Sequence, residues 1–227
     1  MLSRLFNFAM LRGLVTSNAA AGIPALYEGG GRALIVWTDD DIGRFDEVAS
    51  QLDMSHVADR LHLAALTGLR RQDLITLTSN DVSETTISTL AAKKSWHRRF
   101  RVTMPRLPEV DVLLQRLLTR ERQTGVNTLL VNRFGRSWSG DGFTGSFNRI
   151  RDVAGIVGID EQGRERKKHL HDVRGTFCTK LCRANLRDDE IAEVMGWSPE
   201  QVPSIRRTYV DRQAVVVAIA ERLRGRV

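Results

Sequence analysis

Apolar residues recur at helical spacing in several stretches of this chain, and glycines or polar residues separate them. The pattern predicts helices over residues 1–13, 55–66, 108–124, 141–155 and 211–224, and another that begins near His171. Two shorter apolar runs, 87–90 and 100–104, predict the strands of a hairpin with residues 93–97 at its turn. Residues 128–131 can add a third short strand. The predicted fold is mainly α with a small antiparallel β-sheet, an α+β class.

Glycine and proline divide the chain into unequal parts. The first helix ends at Gly13, and Pro24 together with the glycines at 29–31 interrupts any regular element that follows. We therefore predict a short N-terminal piece over 1–22, a linker over 23–35 and one large domain over 36–227. The Gly-Gly-Gly-Arg run lacks the G-x-x-x-x-G-K-[ST] form of a phosphate-binding loop, so we interpret it as part of the linker.

The charge balance favours a polyanionic partner. Lys and Arg exceed Asp and Glu by 34 to 27, for a net charge of +7 and a pI near 10.1, although a solvated basic surface would have the same composition. Cys178 and Cys182 lie four residues apart on one predicted helix, where a structural disulfide is disfavoured. Reduced thiols predict a cytoplasmic protein, and the first helix is too short to span a membrane.

Residues suited to phosphate chemistry occur in two separate segments. His171 and Arg174 share one helix face at i, i+3, and they combine a proton-transferring imidazole with a guanidinium fork. Arg70 stands at the head of a predicted helix, where the macrodipole disfavours a cation unless an anion binds there. Asp73, three residues on, can hold that guanidinium. Tyr209 follows three residues, Arg206-Arg207-Thr208, whose positive charge favours a phenolate nucleophile.

Four motifs in order carry a family resemblance. T-G-L-R ends at Arg70 with an acid three residues later, H-x-x-R-G-T begins at His171, G-W ends at Trp197, and the tyrosine is Tyr209. The pattern resembles the catalytic domain of the tyrosine recombinases, or phage integrase family, over about 36–224. The resemblance implies that Arg70 and Arg174 clamp the scissile phosphate, that His171 handles a proton and that Tyr209 attacks the phosphorus.

Two further site positions come from the same resemblance. The family has a hairpin lysine that protonates the leaving oxygen, and the K-S pair favours Lys94, with Lys93 as the alternative. Trp197 stands where most members have histidine and some have tryptophan. Its indole N–H can donate a hydrogen bond to a phosphate oxygen but cannot transfer a proton. Residues 1–22 resemble the last helix of the family's core-binding domain, so we expect a chain truncated at its N-terminus.

The resemblance implies a site-specific DNA recombinase or integrase of a mobile element. It would cleave and rejoin double-stranded DNA through a 3′-phosphotyrosyl intermediate, without metal or cofactor, in the prokaryotic cytoplasm or nucleoid. Self-assembly from dimer to tetramer on DNA would use the C-terminal helix over 211–224, and the basic residues 163–169 would contact the phosphate backbone. The alternative is a non-catalytic DNA-binding remnant or regulator of recombination. A type IB topoisomerase shares the chemistry, but the hairpin and the G-W pair favour a recombinase.

Overall fold

A computed structural model describes residues 2–24, 32, 34–92 and 101–224. The chain divides into two compact units, Met1–Gly30 and Gly31–Val227. The described part of the first unit consists of one helix, α1 (Leu2–Leu11), and the turns that follow it. Asn18 ties those turns back to the helix, because its side-chain amide donates to the Asn7 carbonyl oxygen Oδ1 at 2.6 Å.

The second unit is mainly helical, as predicted. Its first helix is α2 (Asp39–Gln51), whose first turn is closed by a capping box between Thr38 and Asp41. The elements that follow, in chain order, are α3 (Ser55–Thr67), α4 (Arg71–Thr76), β1 (Thr86–Leu90), β2 (Arg101–Pro105), α5 (Pro108–Leu118), α6 (Gly140–Val153), β3 (Val157–Ile159), β4 (Glu165–Lys167), α7 (Leu170–Arg183), α8 (Asp188–Met195), α9 (Val202–Tyr209) and α10 (Arg212–Arg224).

The two sheets are small antiparallel hairpins. Strands β1 and β2 pair with Ile87 opposite Met104, both of which are buried, so the predicted hairpin is confirmed; its predicted turn, 93–97, lies outside the described residues. Strands β3 and β4 form a second hairpin that was not predicted from the sequence. The predicted strand over 128–131 is wrong: Thr128 and Val131 each make one isolated bridge, to Thr78 and Ser137.

Two apolar clusters form the interior. The larger cluster joins α2, α3, α5 and α6, and its centre contains an aromatic group in which the Phe45 and Phe147 ring centroids are 5.0 Å apart. The smaller cluster joins α7, α8 and α9 and includes Cys178 and Cys182 as buried free thiols. Since α7 has residues in both clusters, it connects the two halves of the interior.

Two glycines end helices where the backbone turns sharply beside the interior. Gly68 follows α3 with φ +61°, and a methyl group there would meet the Phe177 ring on α7 at 2.3 Å. Gly196 follows α8 with φ +59°, and a methyl group there would meet Val102 on β2 at 2.4 Å. Positive φ and close approach both require glycine, and these two turns bring the T-G-L-R and G-W segments against neighbouring elements.

Across the described ranges, no helix is both long enough and apolar enough to cross a membrane.

Candidate active site

The first turn of α7 presents His171 and Arg174. His169 caps the helix, and its backbone N–H donates to the Asp172 carboxylate at 2.7 Å. The buried residues Val173 and Phe177 anchor the opposite side of the helix in the interior. Capping and burial therefore fix the direction in which His171 and Arg174 project.

Arg174 is only 7% exposed and connects three elements. Its guanidinium donates hydrogen bonds to the carbonyl oxygens of Gly68, at the end of α3, and Met195, at the end of α8. The guanidinium carbon also lies 5.1 Å from the centroid of the Trp197 ring. The indole face thus supports the cation, a role that the sequence analysis did not foresee for Trp197.

Arg70 immediately precedes α4 and is half-buried. Within the described part of the chain, no residue forms an ion pair or hydrogen bond with its guanidinium. The expectation that Asp73 holds this group is wrong: the buried Asp73 carboxylate accepts the backbone N–H of Ala92 at 2.7 Å instead. Asp73 therefore fixes the end of β1, and the described residues leave the guanidinium donors of Arg70 without a partner.

Arg70, His171 and Arg174 line one cleft of about 420 Å³. Arg71 and Arg151 also line it; Arg71 donates to Thr144 at 2.7 Å and Arg151 donates to the Lys168 carbonyl at 3.2 Å. Neither of these two arginines was expected in the site from the sequence motifs. The two adjacent arginines at 70 and 71 could have indicated Arg71 from the sequence. Arg151 could not be found in that way, because its place in the cleft depends on how α6 packs. The cleft is lined by Leu69, Arg70, Arg71, Phe143, Thr144, Phe147, Asn148, Arg151, His169, Leu170, His171 and Arg174, a set that contains four arginines and no carboxylate.

The electrostatic surroundings favour the neutral form of His171. Loss of surrounding water lowers the pKa of its imidazole, although part of the ring stays exposed, and the positive charges of Arg174, Arg70 and Arg32 lower it further. Asp172 acts in the opposite direction without reversing the shift. A neutral imidazole can accept a proton, so the cleft combines anion-binding groups with a proton acceptor.

Tyr209 is the last residue of α9, and its phenol lies outside what the structure describes. The helix packs on α7 through the buried Val202 and on α8 through an ion pair between Arg206 and Asp188. Helix α9 therefore belongs to the group of helices that carries Arg174 and Trp197. Lys94 and the alternative Lys93 also lie outside the described residues.

Most basic residues at 163–169 form ion pairs with carboxylates of this chain. Arg164 and Arg166 both contact the buried carboxylate of Asp160 at 3.0 Å, and Lys167 contacts Asp152 at 3.0 Å. Lys168 is buried against Asp41. These ion pairs stabilise the β3–β4 hairpin and its junction with α2, so the charge run has a structural use that the sequence pattern did not indicate.

Among the residues that the structure describes, no three His, Cys, Asp or Glu side chains lie close enough together to hold a metal ion.

The fold and the motifs agree with one family. The phage integrase family matches residues 39–214, from the first turn of α2 into α10, and the chain belongs to this family. A comparison with curated proteins found no match.

Solved structures of similar fold include two of lambda integrase. One is a dimer bound to a COC′ core site, with 18% identity and a TM-score of 0.68, covering 91% of this chain and 56% of that one. The other is a tetramer bound to a Holliday junction, with 17% identity and a TM-score of 0.66, and the match covers 88% of this chain and 56% of that one. The Tn1549 transposon integrase in complex with circular intermediate DNA has 17% identity and a TM-score of 0.68, and the match covers 96% of this chain and 75% of that one. The chain thus spans little more than half the length of those lambda integrase chains.

Proposed function

We propose that this chain cleaves and rejoins double-stranded DNA in site-specific recombination, through a 3′-phosphotyrosyl intermediate formed on Tyr209. The observation that carries the proposal is the cleft that holds Arg70, Arg174 and His171 with no carboxylate in its lining. Such a site favours a phosphodiester, because its cations stabilise the negative charge that builds up on the phosphate oxygens in the transition state.

The reaction assigns one role to each residue. The Tyr209 oxygen attacks the phosphorus, its proton passes to neutral His171, and the bond from phosphorus to the 5′ oxygen breaks. Lys94 protonates that leaving oxygen. Arg70 and Arg174 bind the non-bridging oxygens, and Trp197 supports Arg174 and can donate its N–H to a phosphate oxygen. The new phosphotyrosyl ester keeps the energy of the phosphodiester, so rejoining requires no nucleotide cofactor.

The test is an adduct assay on nicked duplexes that cover the two genomic junctions of the element encoding this chain. The nick lets the short 5′-hydroxyl strand diffuse away, so the covalent complex accumulates and survives denaturation. The chain contains only two tyrosines, Tyr27 and Tyr209, which provides a matched control. We expect an adduct with the unmodified chain and with Tyr27→Phe, and none with Tyr209→Phe, whose DNA affinity should remain nearly unchanged.

Two results would oppose the proposal. An adduct that persists in Tyr209→Phe would assign the nucleophile elsewhere. DNA binding without any adduct, on duplexes that other family members cleave, would indicate a non-catalytic DNA-binding protein or a regulator of recombination.

Assembly on DNA forms the second part of the proposal. Helix α10 exposes Val216, Ile219 and Leu223, and burying such residues against another copy would stabilise a dimer or tetramer. We expect Val216→Asp to reduce the mass of the DNA-bound assembly measured by light scattering. The control is Val112→Asp on α5, where the valine is also exposed and no assembly role is proposed. An equal loss in both variants, or in neither, would reject α10 as the contact.

A further inference from the structure

The segment that precedes α2 is attached to α7 and to the residues just before it by several hydrogen bonds. The Trp37 backbone N–H donates to the Thr176 hydroxyl at 2.8 Å, and the Trp37 indole donates to the His169 carbonyl at 3.0 Å. In the opposite direction, Lys168 donates to the Val36 carbonyl at 2.7 Å. We call this segment, which comprises Arg32 and residues 34–38, the strap. It lies before the part of the chain that matches the family.

Arg32 provides the contact of the strap that lies next to His171 in the sequence. Its Nε donates to Asp172 Oδ1 at 2.9 Å and its Nη2 donates to Asp172 Oδ2 at 2.6 Å, so the pair is bidentate. Nη2 also donates to the Lys167 carbonyl at 2.9 Å. Asp172 is buried and adjoins His171 in the sequence. A planar fork on a buried carboxylate fixes the geometry of both partners.

We propose that Arg32 is a positioning residue: its guanidinium holds Asp172 at the first turn of α7 and thereby sets the orientation and the electrostatic surroundings of His171. The inference rests on the proposed function, in which His171 accepts the tyrosine proton. It adds a residue outside the recognised motifs to the groups on which cleavage depends.

Two effects follow from the geometry. Asp172 accepts the His169 N–H while it is held by Arg32, so the ion pair closes the first turn of α7 from outside the helix. The pair also balances charge beside the imidazole, because the negative charge of Asp172 favours protonated His171 and the positive charge of Arg32 opposes it. Removing Arg32 should therefore raise the pKa of the His171 imidazole, and removing Asp172 should lower it.

Apart from the Arg32–Asp172 pair, the charged residues that the structure describes around His171 are all positive. They are Arg70 and Arg71 from the start of α4, Arg151 from α6, and Arg174 from α7 itself. Among the described residues, Asp172 is the negative charge that acts on this imidazole. Its pairing with Arg32 therefore decides how much of that negative charge reaches His171.

The experiment is an NMR titration of the histidine ring protons in the full chain without DNA. The chain has five histidines, and the His171 signal is assigned by its absence in His171→Gln. We expect Arg32→Ala to raise the pKa of His171, Asp172→Asn to lower it, and the double variant to fall between the two. If Arg32→Ala does not fold, Arg32→Gln is measured in its place, because it keeps donor groups and loses the charge.

Arg106→Ala is the matched control. Arg106 is 27% exposed, against 28% for Arg32, and it likewise pairs with one aspartate, Asp111, and one backbone carbonyl, that of Ser83. Ser83 precedes β1 and Asp111 lies on α5, so neither partner is on α7, and we expect an unchanged His171 titration.

Cleavage provides the second measurement. With Arg32→Ala, adduct formation should fall at mildly acidic pH and recover as the pH rises past the new pKa of His171. A His171 titration unchanged in folded Arg32→Ala, or shifts of the same sign in Arg32→Ala and Asp172→Asn, would overturn the inference. Neither result depends on whether Tyr209 forms an adduct, so failure of this inference and failure of the proposed function can be told apart.

Discussion

The Arg174 guanidinium donates a hydrogen bond to the carbonyl oxygen of Gly68, the residue that ends α3 two positions before Arg70. The two arginines proposed to clamp the phosphate are therefore connected through the backbone that carries one of them. A second bond from Arg174 to Met195 extends the connection to the turn before Trp197. One side chain thus fixes the relative positions of three separate sequence motifs.

The two arginines should respond differently to truncation. Arg174→Ala leaves the Gly68 and Met195 carbonyls without their donor, so we expect the free energy of unfolding to fall by about 2 kcal/mol or more. Arg70→Ala removes a side chain that has no protein partner among the described residues, and it should change stability by less than about 0.5 kcal/mol. Both variants should slow adduct formation by about 100-fold or more.

Urea denaturation and the adduct assay separate these effects. Equal stability of the two variants would contradict the bridging role of Arg174, and normal cleavage by either variant would contradict the clamp.

Gly68 should not tolerate a methyl group. Gly68→Ala places a side chain at φ +61° and against the Phe177 ring, so we expect a loss of roughly 2 kcal/mol or more in the free energy of unfolding. Gly43→Ala is the control: Gly43 lies inside α2 with nothing within 4 Å of the added carbon, and alanine there should stabilise by about 0.5–1 kcal/mol. Thermal unfolding of both variants tests the contrast, which would fail if Gly68→Ala were as stable as the unmodified protein.

Arg60 is a buried cation whose replacement should not harm the fold. Its side chain is fully buried on α3 against Trp138 and Phe143, none of its nitrogens has a hydrogen-bond partner among the described residues, and burial and the nearby Arg71 lower the pKa of its guanidinium. Replacing buried charges with apolar residues of similar volume is often neutral or stabilising by about 1–4 kcal/mol. We therefore expect Arg60→Met to match or exceed the unmodified protein in urea denaturation.

The smaller variant Arg60→Ala should be destabilised because it leaves a cavity. A large loss of stability in Arg60→Met would show that the cation makes a stabilising contact that hydrogen bonds do not reveal, such as its contact with the two aromatic faces.

Acid should destabilise the protein before its carboxylates titrate. Burial lowers the pKa of His56, His169 and His171, so the unfolded chain binds protons more readily than the folded one. The contribution of these neutral imidazoles to stability is fully present above the ordinary histidine pKa of about 6.5. It is lost as the pH falls through the lowered pKa values of the folded state. We expect the free energy of unfolding to decrease between about pH 7 and pH 5, and His56→Gln to weaken that dependence. Chemical denaturation at several pH values measures it; a flat profile would mean that the three imidazoles titrate normally.

Much of the fold was predictable because its causes are local. Apolar residues at helical spacing placed α3, α6 and α10 within about two residues of their observed bounds. The hairpin of β1 and β2 followed from two short apolar runs. The β3–β4 hairpin was missed because its strands have three residues each and most of their side chains are exposed, so no apolar alternation marks them.

The amino-acid sequence by itself determined the order of the motifs, the helix that carries His171 and Arg174, and the family to which the chain belongs. Only the tertiary structure decided which groups these residues meet: Asp73 binds Ala92 rather than Arg70, Trp197 supports Arg174, Arg151 lines the cleft, and Arg32 reaches Asp172 across 140 positions of sequence. The physical reason is the distance along the chain over which each interaction acts. Capping, periodicity and turn conformation act over a few residues and are visible in the chain, whereas the partner of a charged side chain depends on how distant elements pack.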